Sequence, residues 1–348
     1  MKEKCVIYYL PVKKEFLEKW VYYNVDLQIL QSIYKEVFIC NNTIDIVKYI
    51  FKSDHIFCWW WHQSFIPLIL SKIFNKKILV TGAIHMFDYS GALDYYKRSF
   101  LYKFLNKLVL RFVDVNLFIS NDQMISVTSH LYVHNPNLLY SSLESDRVFN
   151  KNFLIEKKEF CKKNNIFKFF SVAWLTKDQL KRKNIIKVLE AFKIFKSEFK
   201  GDWEYVIAGK KGDAYNEIIS FIYKSELEDN IKIIVDISTE DKNKLFYNSD
   251  LLIMPSWFEG FGNSVLEAMS FGTPALVSRY GASPEVVDDS GIIINEIKAE
   301  IIKDKLIDFV NLSFEKRFSM YEKSYVRATN IFSLESRKKG LLKILNTK

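Results

Sequence analysis

Two carboxylates, Glu259 and Glu267, stand on either side of a glycine-containing turn in the run MPSWFEGFGNSVLE, with seven residues between them. An apolar stretch, residues 250–254, reads as a strand that stops at Pro255; Glu259, Gly260, Phe261, Gly262, Asn263 and Ser264 follow, and a helical pattern begins. The two glycines let a ligand approach the backbone closely. Free N–H groups at a helix start, together with the helix dipole, favour a phosphate there. A carboxylate does not bind phosphate, but it accepts hydrogen bonds from sugar hydroxyls. One Glu on each side of a diphosphate therefore implies a hydroxyl-bearing group at both ends, as in a nucleotide sugar: ribose, diphosphate, hexose. The plainer reading is a glycine loop whose N-terminal Glu favours a helix dipole.

Such a turn needs strands and helices to hold it, and the chain supplies them in alternation. Short apolar runs separated by longer periodic segments predict an α/β protein. In the first half the runs predict strands at 5–10, 36–40, 55–61, 77–81, 115–120 and 131–135, with a helix over about 95–112. The pattern breaks at Asn135 and Pro136, and the polar stretch 141–152 reads as a linker. The second half restarts, with strands at 167–173, 204–208, 232–235, 251–254 and 274–278 and helices at 184–198, 242–247, 265–271, 301–312 and about 334–345. The 348 residues thus divide into 1–150 and 151–330, with a last helix, about 331–348, expected to pack back on the first domain. Two successive doubly wound units place a ligand cleft at the C-terminal edges of their sheets.

The segment EGFGNSVLEAMSFGTPALVSRYGASPEVV closely resembles the signature of the retaining GT-B glycosyltransferases of family 4 (group 1). Those enzymes carry two Glu residues at this spacing, then an E-A-M-x-x-G-x-P run and a G-x-x-E-V-V element. Glu259 and Glu267 match the pair, and Gly272, Pro274 and Glu285 match the later elements. The likeness runs from about residue 167 to 294 and is weak in the first half. It implies the GT-B fold, two Rossmann-like domains facing each other across a cleft. It also implies transfer of a hexosyl group from a nucleoside diphosphate sugar to a hydroxyl of a glycan or lipid-linked acceptor, with retention of configuration. Cell-surface polysaccharide, lipopolysaccharide or glycolipid assembly is the setting it suggests.

By the same resemblance Glu259 meets the hexose and Glu267 the ribose, while the backbone from Gly260 to Ser264 holds the diphosphate. Lys183 falls where the family places a phosphate-binding Lys. Trp174 stands where its Arg is expected, in a loop that looks lengthened, so Arg182 or Lys177 is left to supply the second charge. Gly209 ends the next strand, Lys210 adds charge beside it, and 236–238 lie toward the base. His85, just past the strand 77–81, takes the family's place for a donor-sugar or transition-state contact, and Asp88 is a candidate for the acceptor hydroxyl. Trp61 and His62, closing the run Trp59 to His62, could form an aromatic acceptor wall, although core packing suits most of that run better. No cofactor beyond the co-substrate and no metal is expected: basic side chains and N–H groups neutralise the leaving diphosphate, and no D-x-D pair stands at a strand end. The family's glycine-rich loop after the first strand is absent; Pro11, Val12, Lys13 and Lys14 stand there.

The net charge of +9 suits nucleic acid, anionic lipid or phosphorylated small molecules, and composition does not choose among them. Helix-turn-helix, RNP and zinc patterns are missing, which argues against nucleic acid. The four cysteines lack C-x-x-C spacing, so neither zinc nor a disulfide framework is suggested. No signal-peptide pattern opens the sequence, and the longest apolar stretch, 56–74, is interrupted by polar residues. A cytoplasmic protein is therefore expected. The segment KRSFLYKFLNKLVLRF, residues 97–112, places Lys103, Lys107 and Arg111 on one helical stripe beside Phe100, Phe104, Leu108 and Phe112. A basic amphipathic helix can lie on anionic lipid, which suggests peripheral contact with the inner face of the plasma membrane. A nucleotide-sugar epimerase on the same fold and a binding protein without catalysis are the competing readings.

Overall fold

A computed structural model describes residues 4–12, 21–87, 94–144, 150–163 and 166–346. By internal contacts the chain divides into two compact units, residues 1–146 with 332–348, and residues 147–331.

The first unit is built on a six-stranded parallel sheet in the order β2-β1-β3-β4-β5-β6. Its strands are β1 (Cys5–Tyr9), β2 (Glu36–Cys40), β3 (His55–Trp59), β4 (Lys77–Gly82), β5 (Val115–Phe118) and β6 (Pro136–Leu138). Connecting them are α1 (Val21–Ile33), α2 (Thr43–Tyr49), α3 (Phe65–Ile73), α4 (Phe100–Phe112) and α5 (Asn121–Thr128). Strands β3 and β5 are buried along their whole length, as expected of a parallel sheet covered on both faces. One core cluster joins the sheet to α2, α3, α4 and α5 through Ile46, Ile50, Leu68, Val109, Leu110 and Val127. The other joins it to α1 and to the helix Leu334–Asn346 through Ile29, Leu30, Leu341 and Leu345. That last helix is tied in by Arg337, whose Nε donates to Asp26 Oδ1 at 2.7 Å. Nη1 of the same side chain donates to the carbonyls of Leu139 and Tyr140.

The second unit carries another six-stranded parallel sheet, in the order β12-β11-β10-β7-β8-β9. The strands are β7 (Phe167–Val172), β8 (Trp203–Gly209), β9 (Ile231–Val235), β10 (Leu251–Met254), β11 (Ala275–Ser278) and β12 (Ile292–Ile294). Its helices are α6 (Lys151–Lys163), α7 (Lys177–Lys183), α8 (Ile185–Glu198), α9 (Tyr215–Lys224), α10 (Thr239–Asn248), α11 (Asn263–Met269), α12 (Ser283–Val287), α13 (Ala299–Val310) and α14 (Phe314–Ile331); α15 is Leu334–Asn346 of the first unit. Helices α8, α9 and α13 pack on one sheet face around Phe192, Ile218 and Ile302. Two all-parallel α/β units give the GT-B architecture.

Three expectations are corrected. The strand expected at 131–135 is instead β6 at Pro136–Leu138; Leu131 and Val133 pack against the core from a loop, so their apolar character does not signal a strand. The lengthened loop after β7 contains the helix α7. It escapes a periodicity search because Leu180 is its sole buried apolar side chain. The stretch 141–152 ends inside α6, which begins at Lys151.

Candidate functional site

The site in the second unit forms where the chain leaves β10. Pro255 to Gly262 form a turn, and α11 starts at Asn263. Gly262 holds φ +95°, and a Cβ there would lie 3.0 Å from Ser283 Oγ, so glycine is required by conformation and tight against its neighbour. The loop after β11 clamps the turn from outside: the Ala282 N–H donates to Glu259 O at 2.9 Å. Gly281, at φ +69°, approaches so closely that a Cβ would sit 2.7 Å from the Glu259 backbone.

On the other side the turn is strapped to the junction between α7 and α8. Asn184 is left-handed, with φ 56°, and breaks the two helices apart. Its Nδ2 donates to Pro255 O at 2.8 Å, and the Trp257 N–H donates to Arg182 O at 2.8 Å. The Arg182 guanidinium then reaches the turn itself. Nη1 donates to Phe258 O at 2.8 Å and lies 3.0 Å from Glu259 Oε1, while Nη2 donates to Gln179 Oε1 at 2.7 Å. Ser256 Oγ donates to the same Glu259 oxygen at 2.9 Å. Burial pushes the Glu259 carboxyl upward, but Arg182 and Lys183 pull it down further, so it stays below the ordinary carboxylate range.

Lys183 is buried, and its Nζ donates to Val172 O at the end of β7 at 2.7 Å. Burial lowers its pKa to about 8 against an opposing pull from Glu259, with Arg182, Glu267 and Lys242 also acting on it. Lys242, from the first turns of α10, is 2.7 Å from Glu267 Oε2. Three cations, Arg182, Lys183 and Lys242, thus surround two carboxylates, Glu259 and Glu267, with one positive charge in excess.

Sequence reasoning misses Lys242. The signal available was its place one turn past Ser238, the residue that caps α10 and closes the stretch expected near the base. Of the two residues left to replace the family Arg, Arg182 enters the site; Lys177 is exposed. Trp174, at the family Arg position, is 51% exposed. Phe261 is buried beneath the turn, Asn263 is exposed and Ser264 half-buried. Gly209 ends β8 so close to β7 that a Cβ would lie 1.8 Å from Ala173 O. Lys210 is exposed beside it, and its carbonyl accepts the Leu175 N–H at 2.9 Å.

The remaining candidates belong to the first unit. His85 follows β4, half-buried, and its carbonyl accepts the Tyr95 N–H at 2.7 Å. His62 lies half-buried against the Tyr102 ring, with centroids 4.6 Å apart; burial and then Arg98 lower its pKa. Trp61 corrects the acceptor-wall expectation: it is 1% exposed, donates Nε1–H to Asn116 Oδ1 at 2.7 Å and stacks on Phe118, so its ring belongs to the core. Asp88 lies outside the described residues. Among the described residues no cluster of three His, Cys, Asp or Glu side chains is placed to hold a metal. None of the described helices is long and apolar enough to cross a membrane.

Residues 156–327 match the family described as Glycosyl transferases group 1. That match lies within the second unit. The O-antigen chain mannosyltransferase B of Escherichia coli is 29% identical to this chain over 127 residues, 35% of this chain and 33% of that protein. The O-antigen chain mannosyltransferase RfbU of Salmonella typhimurium is 23% identical over 248 residues, 68% of this chain and 66% of that one. The match therefore spans less than two thirds of either relative. Among solved structures, Anabaena Alr3699/HepE in complex with UDP superposes over 98% of this chain and 99% of its own, with a TM-score of 0.73 at 13% identity. That likeness shows the fold.

Proposed function

We propose that this protein is a glycosyltransferase that moves a hexosyl group from a nucleoside diphosphate sugar to a hydroxyl of a glycan or lipid-linked acceptor, retaining configuration. Assembly of O-antigen or another cell-surface polysaccharide or glycolipid is the setting. The observation that carries the reading is the group of three cations and two carboxylates around the turn after β10. Arg182 and Lys183 stand where a leaving diphosphate gains charge, and fixed cations aimed at developing charge lower the barrier to departure. Glu259, held ionised by Arg182 and Lys183, is the acceptor for donor-sugar hydroxyls, and Glu267 for the ribose. His85 is assigned to the donor sugar. With this much positive charge built into the protein, no metal is needed. The relatives named for O-antigen chains and the neighbour titled as a UDP complex support the same reading. The protein would work in the cytoplasm at a membrane surface, with residues 97–112 as contact.

The test is a thermal shift with nucleoside diphosphates, followed by nucleoside diphosphate release from a panel of donors with lipid-linked and oligosaccharide acceptors. A rise in melting temperature that shrinks in Lys183→Ala supports the donor site. No shift with any common nucleoside diphosphate refutes it, and binding without turnover on every acceptor turns the reading to a non-catalytic binder.

A further inference from the structure

The two faces of the first unit's sheet are finished differently. On one, the stretches Tyr22–Ile33 and Leu334–Asn346 leave none of their large apolar side chains exposed. On the other, α2, α3 and α4 each turn an apolar stripe outward. Ile44, Val47 and Phe51 follow helical spacing along and just past α2 and are 80%, 49% and 74% exposed. Ile66, Ile69 and Ile73 do the same on α3. Phe100, Leu101 and Phe104 open α4, with Phe100 81% exposed. The helices are neighbours, α2 packing on α3 and α3 on α4, and Phe51 meets Phe74 edge to face at 4.9 Å. The stripes therefore form one surface. Single exposed apolar residues are ordinary; a contiguous patch of this kind marks an interaction site.

Charge selects the partner. Lys48, Lys103, Lys107 and Arg111 lie on these three helices, Lys72 is paired with Asp114, and the helices themselves carry one acid, Asp45, which is hydrogen-bonded to Asn42. A second copy seated face to face would set these cations against their own equivalents with almost no acid to compensate, because a two-fold interface pairs a patch with itself. An anionic bilayer offers acyl chains to the apolar stripes and headgroup charge to the lysines. We propose that the outward face of α2, α3 and α4 together, and not α4 alone, is a docking surface for an anionic lipid bilayer.

The experiment is vesicle co-sedimentation of the full chain on phosphatidylcholine with and without phosphatidylglycerol. It reads binding rather than transfer, so it stands or falls separately from the donor reading. Binding is expected on the anionic vesicles alone and is lost near 1 M salt, where the Debye length is about 3 Å. Ile69→Ser/Ile73→Ser in α3 and Phe100→Ser/Leu101→Ser in α4 should each weaken it by roughly tenfold or more, since each pair removes several buried methylenes. These positions face solvent, so both variants should melt as the wild type does; Lys103→Gln/Lys107→Gln, which keeps the apolar stripes, should also weaken binding. The proposal is overturned if the wild type ignores anionic vesicles, if the α3 pair leaves binding unchanged while the α4 pair abolishes it, or if the wild type is a dimer that these substitutions dissociate.

Discussion

If Lys183 holds the donor diphosphate, as proposed, donor binding is linked to a proton. Its ammonium is buried against Val172 O, and burial lowers its pKa from 10.5 to about 8. That difference corresponds to about 3 kcal/mol of disfavoured charge in the unliganded site. A diphosphate seated beside it would add counter-charge to that of Glu259 and Glu267 and return the group toward the ordinary lysine value. The sign follows: a group that binds its proton more tightly in the complex takes up protons on binding, so affinity falls as pH rises through the unliganded pKa. At pH 9 about a tenth of the unliganded molecules hold this proton and nearly all complexes do, so binding should take up about 0.9 proton. Affinity should fall roughly tenfold per pH unit between about pH 8.5 and 10 and flatten toward pH 7. The assay is titration calorimetry with the free nucleoside diphosphate in buffers of different ionisation enthalpy. Lys183→Met should bind weakly and lose the alkaline slope. Uptake of less than about 0.2 proton at pH 9 in the wild type, or the same slope in Lys183→Met, would refute the assignment of this lysine to the diphosphate.

Three other outcomes are expected. Glu259→Ala should lower kcat strongly with nucleoside diphosphate affinity nearly kept, whereas Glu267→Ala should weaken that affinity by about 1.5–3 kcal/mol; calorimetry beside steady-state kinetics that gives the opposite pattern reverses the donor orientation. Turnover should survive EDTA, and abolition by EDTA with rescue by manganese or magnesium would show that the basic groups do not suffice. Arg337→Met strands the buried Asp26 carboxylate and should cost the first unit about 3–5 kcal/mol, largely recovered in Asp26→Leu/Arg337→Met; an unchanged denaturation midpoint in the single variant removes the pair from the stability account.

Alternating apolar runs revealed the parallel α/β architecture because strands buried on both faces are written as short Val, Ile and Phe blocks. What stayed hidden has a local cause each time. Strand β12 is three residues long, too short for periodicity. Helix α14 has eighteen residues, and its buried positions are Tyr, Ser, Ala and Thr rather than an aliphatic stripe. The strand edge at Leu131 and Val133 misled because a loop can bury apolar side chains as a strand does. In the candidate site, the turn and its two carboxylates were legible because glycine and Glu lie close in sequence. Lys242 was not, since its meeting with Glu267 spans twenty-five positions and depends on α10 lying beside α11. The choice of Arg182 over Lys177 likewise needed α7, whose coil direction decides which side chain reaches Phe258 and Glu259.

The Arg337–Asp26 pair joins residues 311 positions apart, and it has a consequence for biosynthesis. The second unit is contiguous in sequence, so it can close as soon as residue 331 clears the ribosome. The first unit must wait for residues 332–346, although its sheet was translated first. At about 5–20 residues per second, that leaves the sheet of the first unit without its last covering helix for roughly 10–40 s. Throughout that interval Asp26, Leu30 and Leu139 face solvent or a chaperone in place of α15. A nascent chain arrested before residue 332 should therefore expose a sticky first unit beside a finished second one.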